Sequence, residues 1–98
     1  MEKCECKRRK TRADEEKRLL INRINRIKGQ INAIGRMVED DCYCPDVLLQ
    51  ISAAESALRA LSKVMLTEHI NTCVLSDIRA GSESAAEELA ELIAKLGK

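Results

Sequence analysis

Between Cys42 and Cys73 the chain reads CYCPDVLLQISAAESALRALSKVMLTEHINTC, with no glycine and no proline after Pro45. Apolar residues recur at Val47, Ile51, Ala54, Leu58, Leu61 and Met65 in steps of four and three, the period of a helix face packed against another helix. A second strip, Ala53, Ala57, Ala60 and Val64, follows the same steps. The helix is therefore expected to be buried on two sides, by a helix of its own chain and by one of a partner. Pro45 suits the first helical position and Gly81 the residue just past the end. The spacing predicts a single helix from about Pro45 to Ala80, roughly 54 Å long.

Potential metal ligands stand at both ends of this stretch. Cys42 and Cys44 open it; His69 and Cys73 close it. His69 and Cys73 are four apart, so a helix projects them from one face about a turn from each other. Two thiols and an imidazole suit Cu(I) in trigonal geometry, and a fourth ligand would suit Zn(II). A buried cysteine can equally act as a small apolar side chain. Cys44 is the obvious third ligand, yet its distance from His69 along a straight helix is on the order of 37 Å. Either the helix breaks, for which no breaker residue is present, or a second chain runs antiparallel and brings its own Cys44 to His69 and Cys73. The second arrangement is a two-fold dimer with two equivalent sites.

Composition favours a partner. The 98 residues contain no Phe, no Trp and one Tyr, so one small domain buries little and oligomerisation supplies further burial. The net charge of +1 conceals an asymmetry: residues 1–30 hold eleven Lys and Arg against five acids, and residues 31–98 hold six against eleven. A basic N-terminal third points to an anionic partner, nucleic acid first, with a solvated basic face as the plainer explanation. There is no signal-peptide pattern and no transmembrane run, so a cytoplasmic protein without a membrane partner is expected. Thiols stay reduced in that compartment, which makes metal binding or redox chemistry a better use of five cysteines than a disulfide framework.

Residues 1–13, MEKCECKRRKTRA, read as a disordered basic tail carrying Cys4 and Cys6. Residues 14–98 read as a single all-α domain. A first helix is predicted from Asp14, as N-cap, to about Asp40, with Glu15 and Glu16 in the first turn. Its apolar face is Leu20, Ile24, Ile27, Ile31, Ile34 and Val38. Gly29 and Gly35 weaken it by about 1 kcal/mol each and allow close approach of a neighbour. A short third helix follows Ser82, with Ser84 and Glu87 as a capping box and Leu89, Leu92, Ile93 and Leu96 as its apolar face. The expected fold is all-α: an antiparallel long-helix hairpin plus a short third helix, dimerising into a four-helix bundle.

No Gly-rich phosphate loop, nucleophile elbow or HExxH motif is present, and no loop-built concavity is evident, so an enzyme is not expected. Arg18, Arg23, Arg26, Lys28 and Arg59 lie on the two long helices and could follow a phosphate backbone. No helix-turn-helix is visible, so such binding would use a broad helical surface and DNA shape.

RINRIKGQI at Arg23–Ile31, VEDDCYCPDVLLQISAAESALRAL at Val38–Leu61 and EHINTC at Glu68–Cys73 resemble the signatures of the CsoR/RcnR family of all-α metal-sensing bacterial repressors. The resemblance covers about residues 17–80. It implies a homotetramer, a dimer of dimers, that binds operator DNA when metal-free and releases it on binding its inducer. The copper-sensing branch uses Cys, His, Cys, matched here by Cys44, His69 and Cys73, with the first ligand from the other protomer. It also implies that Tyr43 and Glu88 orient the ligands, and that Arg18, Arg23, Arg26 and Arg59 contact DNA. The nickel and cobalt branch uses further histidines, including one where Cys73 stands; persulfide sensors of the family keep two cysteines but lack the histidine. The expectation is a Cu(I)-responsive repressor of copper-handling genes. Two rivals are a persulfide or thiol sensor built on Cys44 and Cys73, and a helical copper carrier or store that binds no DNA. Cys42 has no counterpart in the family pattern and leaves thiol oxidation open.

Overall fold

A computed structural model describes residues 12–97. The basic tail expected over residues 1–13 lies, for residues 1–11, outside the described residues. The described chain is helical, with no strand: α1 spans Asp14–Glu39, α2 Cys44–His69, a π-helical turn Ile70–Val74, α3 Leu75–Arg79 and α4 Ala85–Leu96. It divides after Ala54 into two compact units.

The first unit holds α1 and the opening turns of α2. Ala13, with extended backbone, is the N-cap of α1 and offers no side-chain cap; Asp14, expected at that position, is the first helical residue instead. The carbonyl of Ala13 takes the N–H of Lys17 at 3.0 Å. Asp14, Glu15 and Glu16 all lie in the first turn, where their charges complement the helix dipole. At the other end the helix closes in a Schellman motif. The N–H of Cys42 donates to Met37 O at 2.9 Å and that of Asp41 to Val38 O at 3.1 Å. These bonds satisfy carbonyls the helix end would leave open. The motif requires a left-handed residue, and Asp41 supplies it at φ 54°. Aspartate tolerates that region better than most non-glycine residues.

The chain then reverses in four residues, 40–43, before α2 begins. Tyr43 O accepts from the N–H of Asp46 at 3.0 Å and of Val47 at 3.3 Å, starting α2. Ile27 and Ala54, both buried, lie at nearly matched heights, each roughly 20 Å of helix from Asp41. Burial at matched heights is what an antiparallel hairpin produces, and it agrees with the expected fold. Among the described residues outside their own stretch of helix, nothing lies within 4 Å of a Cβ built on Gly29 or Gly35, so no described neighbour makes the close approach expected there.

The second unit holds the rest of α2, the π turn, α3 and α4. The helical run from Cys44 reaches Arg79, as the periodicity predicts, but it changes register at Ile70–Val74. Gly81, at φ 92°, closes it in a second Schellman motif, with Ser82 N–H on Asp77 O at 2.9 Å and Gly81 N–H on Ile78 O at 3.0 Å. α4 returns to pack on α3 and the π turn, burying Val74 and Ala85. The capping box does not form: Ser84 makes no side-chain cap bond, and its hydroxyl lies 3.4 Å from that of Ser82.

Ile27, Ala54, Val74 and Ala85 are the buried apolar side chains among the described residues; Leu48, Leu49, Leu58, Val64, Met65, Leu75 and Ile78 are exposed in the single chain. Of the first strip expected on α2, Ala54 is buried and Val47, Ile51 and Leu61 are half-buried, but Leu58 and Met65 face outward.

The left-handed aspartate gives a direct test. Asp41→Val forces a β-branched side chain into that region and is expected to destabilise the protein by about 1–2 kcal/mol in urea denaturation. Asp41→Gly is expected to be neutral or slightly stabilising.

Candidate metal centre

Cys44 and His69 are the first and last residues of α2. The helix that begins and ends with them is 26 residues long. Cys44 is exposed, while His69 and Cys73 are half-buried. Among the described residues, no three His, Cys, Asp or Glu side chains of one chain gather where they could hold a metal ion. The structure thus places His69 and Cys73 four positions apart across the entry to the π turn and sets Cys44 at the far end of α2. Tyr43, the residue before Cys44, is 73% exposed. Glu88 lies in the first turn of α4, in the same compact unit as His69 and Cys73.

The π turn is the feature that periodicity alone does not reveal. It encloses Ile70, Asn71, Thr72, Cys73 and Val74, so the helical register widens between His69 and Cys73. Such turns are uncommon and favour functional sites. The hydroxyl of Thr72 donates to Glu68 O at 2.7 Å, and Thr72 Oγ1 stands 3.6 Å from Cys73 Sγ, within hydrogen-bonding range for the larger sulfur atom. A threonine four residues beyond a carbonyl it can reach is the one trace of this arrangement in the sequence.

The donor set defines what could be held. Two thiols and one imidazole are soft to borderline ligands. They match Cu(I) better than hard cations, which take oxygen. Cys42, also exposed, stands in the turn two residues before Cys44.

The basic residues behave differently from one another. Arg23, Arg26 and Arg59 are exposed. Arg18 forms a two-pronged pair with Glu15, Nη2 to Oε1 at 2.6 Å and Nε to Oε2 at 3.1 Å. That hydrogen bonding raises the Arg18 pKa above its ordinary value. The spacing is i,i+3 on the surface of α1, where charged pairs of this kind form.

A family model described as metal-sensitive transcriptional repressor matches residues 16–96. The chain belongs to that family. Its relatives include the copper-sensing transcriptional repressor RicR of Mycobacterium tuberculosis, 43% identical over 78% of this chain and 79% of RicR. The copper-sensing transcriptional repressor CsoR of Bacillus subtilis is 39% identical over 89% of this chain and 87% of its own. Among solved structures, the copper-sensing repressor CsoR with Cu(I) from Geobacillus thermodenitrificans superposes with a TM-score of 0.87 at 41% identity, covering 92% of this chain and 95% of that one. The nickel-responsive transcriptional regulator InrS gives 0.71 at 30% identity, covering 89% and 96%. The all-α expectation and the family resemblance are borne out, and the family's members are repressors rather than enzymes.

Within this family the Glu15–Arg18 pair has a consequence for DNA. Any phosphate that engages Arg18 must compete with a carboxylate already in place. Glu15→Gln is expected to tighten binding to a generic duplex by a factor of roughly two to five at low salt, and by less as salt is raised. Anisotropy titrations at two ionic strengths check this.

Proposed function

We propose that this protein is a cytoplasmic Cu(I)-responsive transcriptional repressor. It binds operator DNA when metal-free, and Cu(I) releases it to derepress copper-handling genes. What supports the reading is the placing of Cys44 and His69 at the two ends of one helix, with Cys73 just beyond, in a chain related to copper-sensing repressors. His69 is the only histidine in the sequence, which leaves no imidazole-rich set of the kind nickel favours. The same histidine, beside Cys73, favours copper over purely sulfur-based sensing.

The ligand set is Cys44 of one protomer with His69 and Cys73 of its partner. An antiparallel pairing of two α2 helices brings these ends together and makes two equivalent sites per dimer. The exposed Leu58, Val64 and Met65 on α2 supply apolar surface for that pairing. Burying each such side chain contributes about 1.5–3 kcal/mol. Two dimers then form the tetramer. Tyr43 and Glu88 orient the ligands, in the way that neighbouring hydrogen-bonding groups fix a histidine's tautomer and ring direction.

Arg18, Arg23, Arg26 and Arg59 form the DNA-facing set. Without a helix-turn-helix, they engage phosphates along a broad helical surface, and specificity comes largely from duplex shape. Cys44, His69 and Cys73 closing on one Cu(I) draws the ends of two long helices together. A rigid helix transmits that movement to the arginines it carries. By linkage, if copper weakens DNA binding, DNA weakens copper binding by the same factor.

The test is fluorescence anisotropy of a duplex from the protein's own promoter region, titrated anaerobically with reduced protein. Cu(I) is expected to lower affinity by roughly 5–150-fold, a coupling of about 1–3 kcal/mol. Zn(II) or a persulfide donor in place of Cu(I) is expected to leave the complex intact, and release by persulfide alone would move Cys44 and Cys73 to redox chemistry. His69→Ala is expected to retain Cu(I) on its two thiols and lose the release. Arg26→Ala is expected to weaken binding to all sequences alike and reduce the salt slope by about one.

A further inference from the structure

We propose that one exposed face of α1 enters the major groove of the operator, with Asn22, Asn25 and Asn32 reading base edges and Gly29 letting the helix come close; the inference rests on the protein binding operator DNA. Counted from Arg18 in steps of four and three, the face runs Arg18, Asn22, Asn25, Gly29, Asn32, Arg36. Each member stands two residues before a member of the apolar strip that runs from Leu20 to Val38. Two residues are about 200° of helix, so the two strips lie on opposite sides of α1. All six residues of the polar strip are exposed. Three of the chain's four asparagines are among them.

Helix formation does not account for this composition. Glycine is the poorest helix former after proline, and asparagine ranks among the weaker ones. Exposed helix positions are better served by Ala, Glu, Lys or Gln. A Cβ on Gly29 meets no described neighbour within 4 Å outside its own stretch of helix, so alanine fits there and strengthens the helix. What glycine offers instead is its missing side chain, which lets another molecule approach the backbone. The charge indicates which molecule. From Lys17 to Val38 the helix carries six Lys and Arg and no Asp or Glu, and the fitting partner is a polyanion.

The spacing suits a groove. Asn22 and Asn32 are about 15 Å apart along the helix axis, and Arg18 and Arg36 about 27 Å. The major groove is about 12 Å wide and admits an α-helix. It takes the central turns, and the arginines beyond them reach the phosphates at its two edges. Each amide carries both donors and an acceptor, the pattern that pairs with N6 and N7 of adenine in that groove. The arginines position the helix, and the amides specify the sequence. The face thus adds direct base reading to a surface otherwise guided by duplex shape.

The experiment compares wild type, Asn22→Ala, Asn25→Ala, Asn32→Ala and Gly29→Ala as full-length, metal-free protein. Circular dichroism melts and size-exclusion chromatography check fold and assembly. Anisotropy is measured on the promoter duplex and on a scrambled duplex of the same composition, each at several salt concentrations. Each asparagine variant should melt at or above the wild-type temperature, since alanine is the better helix former. Its affinity for the promoter duplex should fall about tenfold. Its affinity for the scrambled duplex and its salt slope should not change, because no charge is lost. Gly29→Ala should melt a few degrees higher and yet bind the promoter duplex severalfold more weakly. Equal losses on both duplexes would assign the amides to phosphates and overturn the base reading. Wild-type promoter affinity in two or more asparagine variants overturns it too. Gly29→Ala at wild-type affinity, or with a changed oligomeric state, overturns the close approach. If wild-type protein binds both duplexes alike, this inference fails alone. If it binds neither, the repressor reading fails and this inference falls with it, an outcome visible before any variant is compared.

Discussion

The apolar surface that one chain cannot cover governs everything else in this molecule. Among the described residues, two of the four buried apolar side chains are alanines, and the large side chains Leu48, Leu49, Leu58, Val64 and Met65 are exposed in the single chain. A helix with apolar residues on more than one side needs neighbours on more than one side. The composition, without Phe or Trp, removes the alternative of filling the gap with a few large side chains. On the proposed assembly, association covers part of this surface, and the same association is what would let a ligand set be divided between helix ends.

Much of this was legible in the sequence because helices announce themselves by period. The four–three steps marked both long helices, and Gly81 marked the end of the helical run that begins at Cys44. Features that depend on a choice between competing local bonds were not legible. Ser84 could have capped α4, but its hydroxyl lies against Ser82 instead. Asp14 gave its expected place to Ala13, since the acids gain as much from the dipole inside the first turn as a cap would give. Asp41 was read only as part of an acidic turn, although a non-glycine residue in the left-handed region carries the reversal.

The π turn was invisible for a different reason. Its residues, Ile70 to Val74, keep right-handed helical backbone at both edges, and one inserted residue shifts an apolar strip too little to break its pattern. The consequence is local: the His69–Cys73 spacing, read as one α-helical turn, is set by a wider turn with Thr72 bonded inside it. The spacing of His69 and Cys73 was plain in the sequence; the backbone between them was not.

On the proposed assembly, the unbroken α2, with a thiol at its start and an imidazole at its end, also has a genetic meaning. Each chain gives its Cys44 to one site and its His69 and Cys73 to the other. An allele lacking Cys44 and an allele lacking His69 each leave a homodimer with no complete site. Expressed together they form mixed dimers in which both defects fall in the same site, and the remaining site is whole. Two unresponsive alleles in one cell would thus restore a response that neither has alone. A site assembled within one chain has no such property.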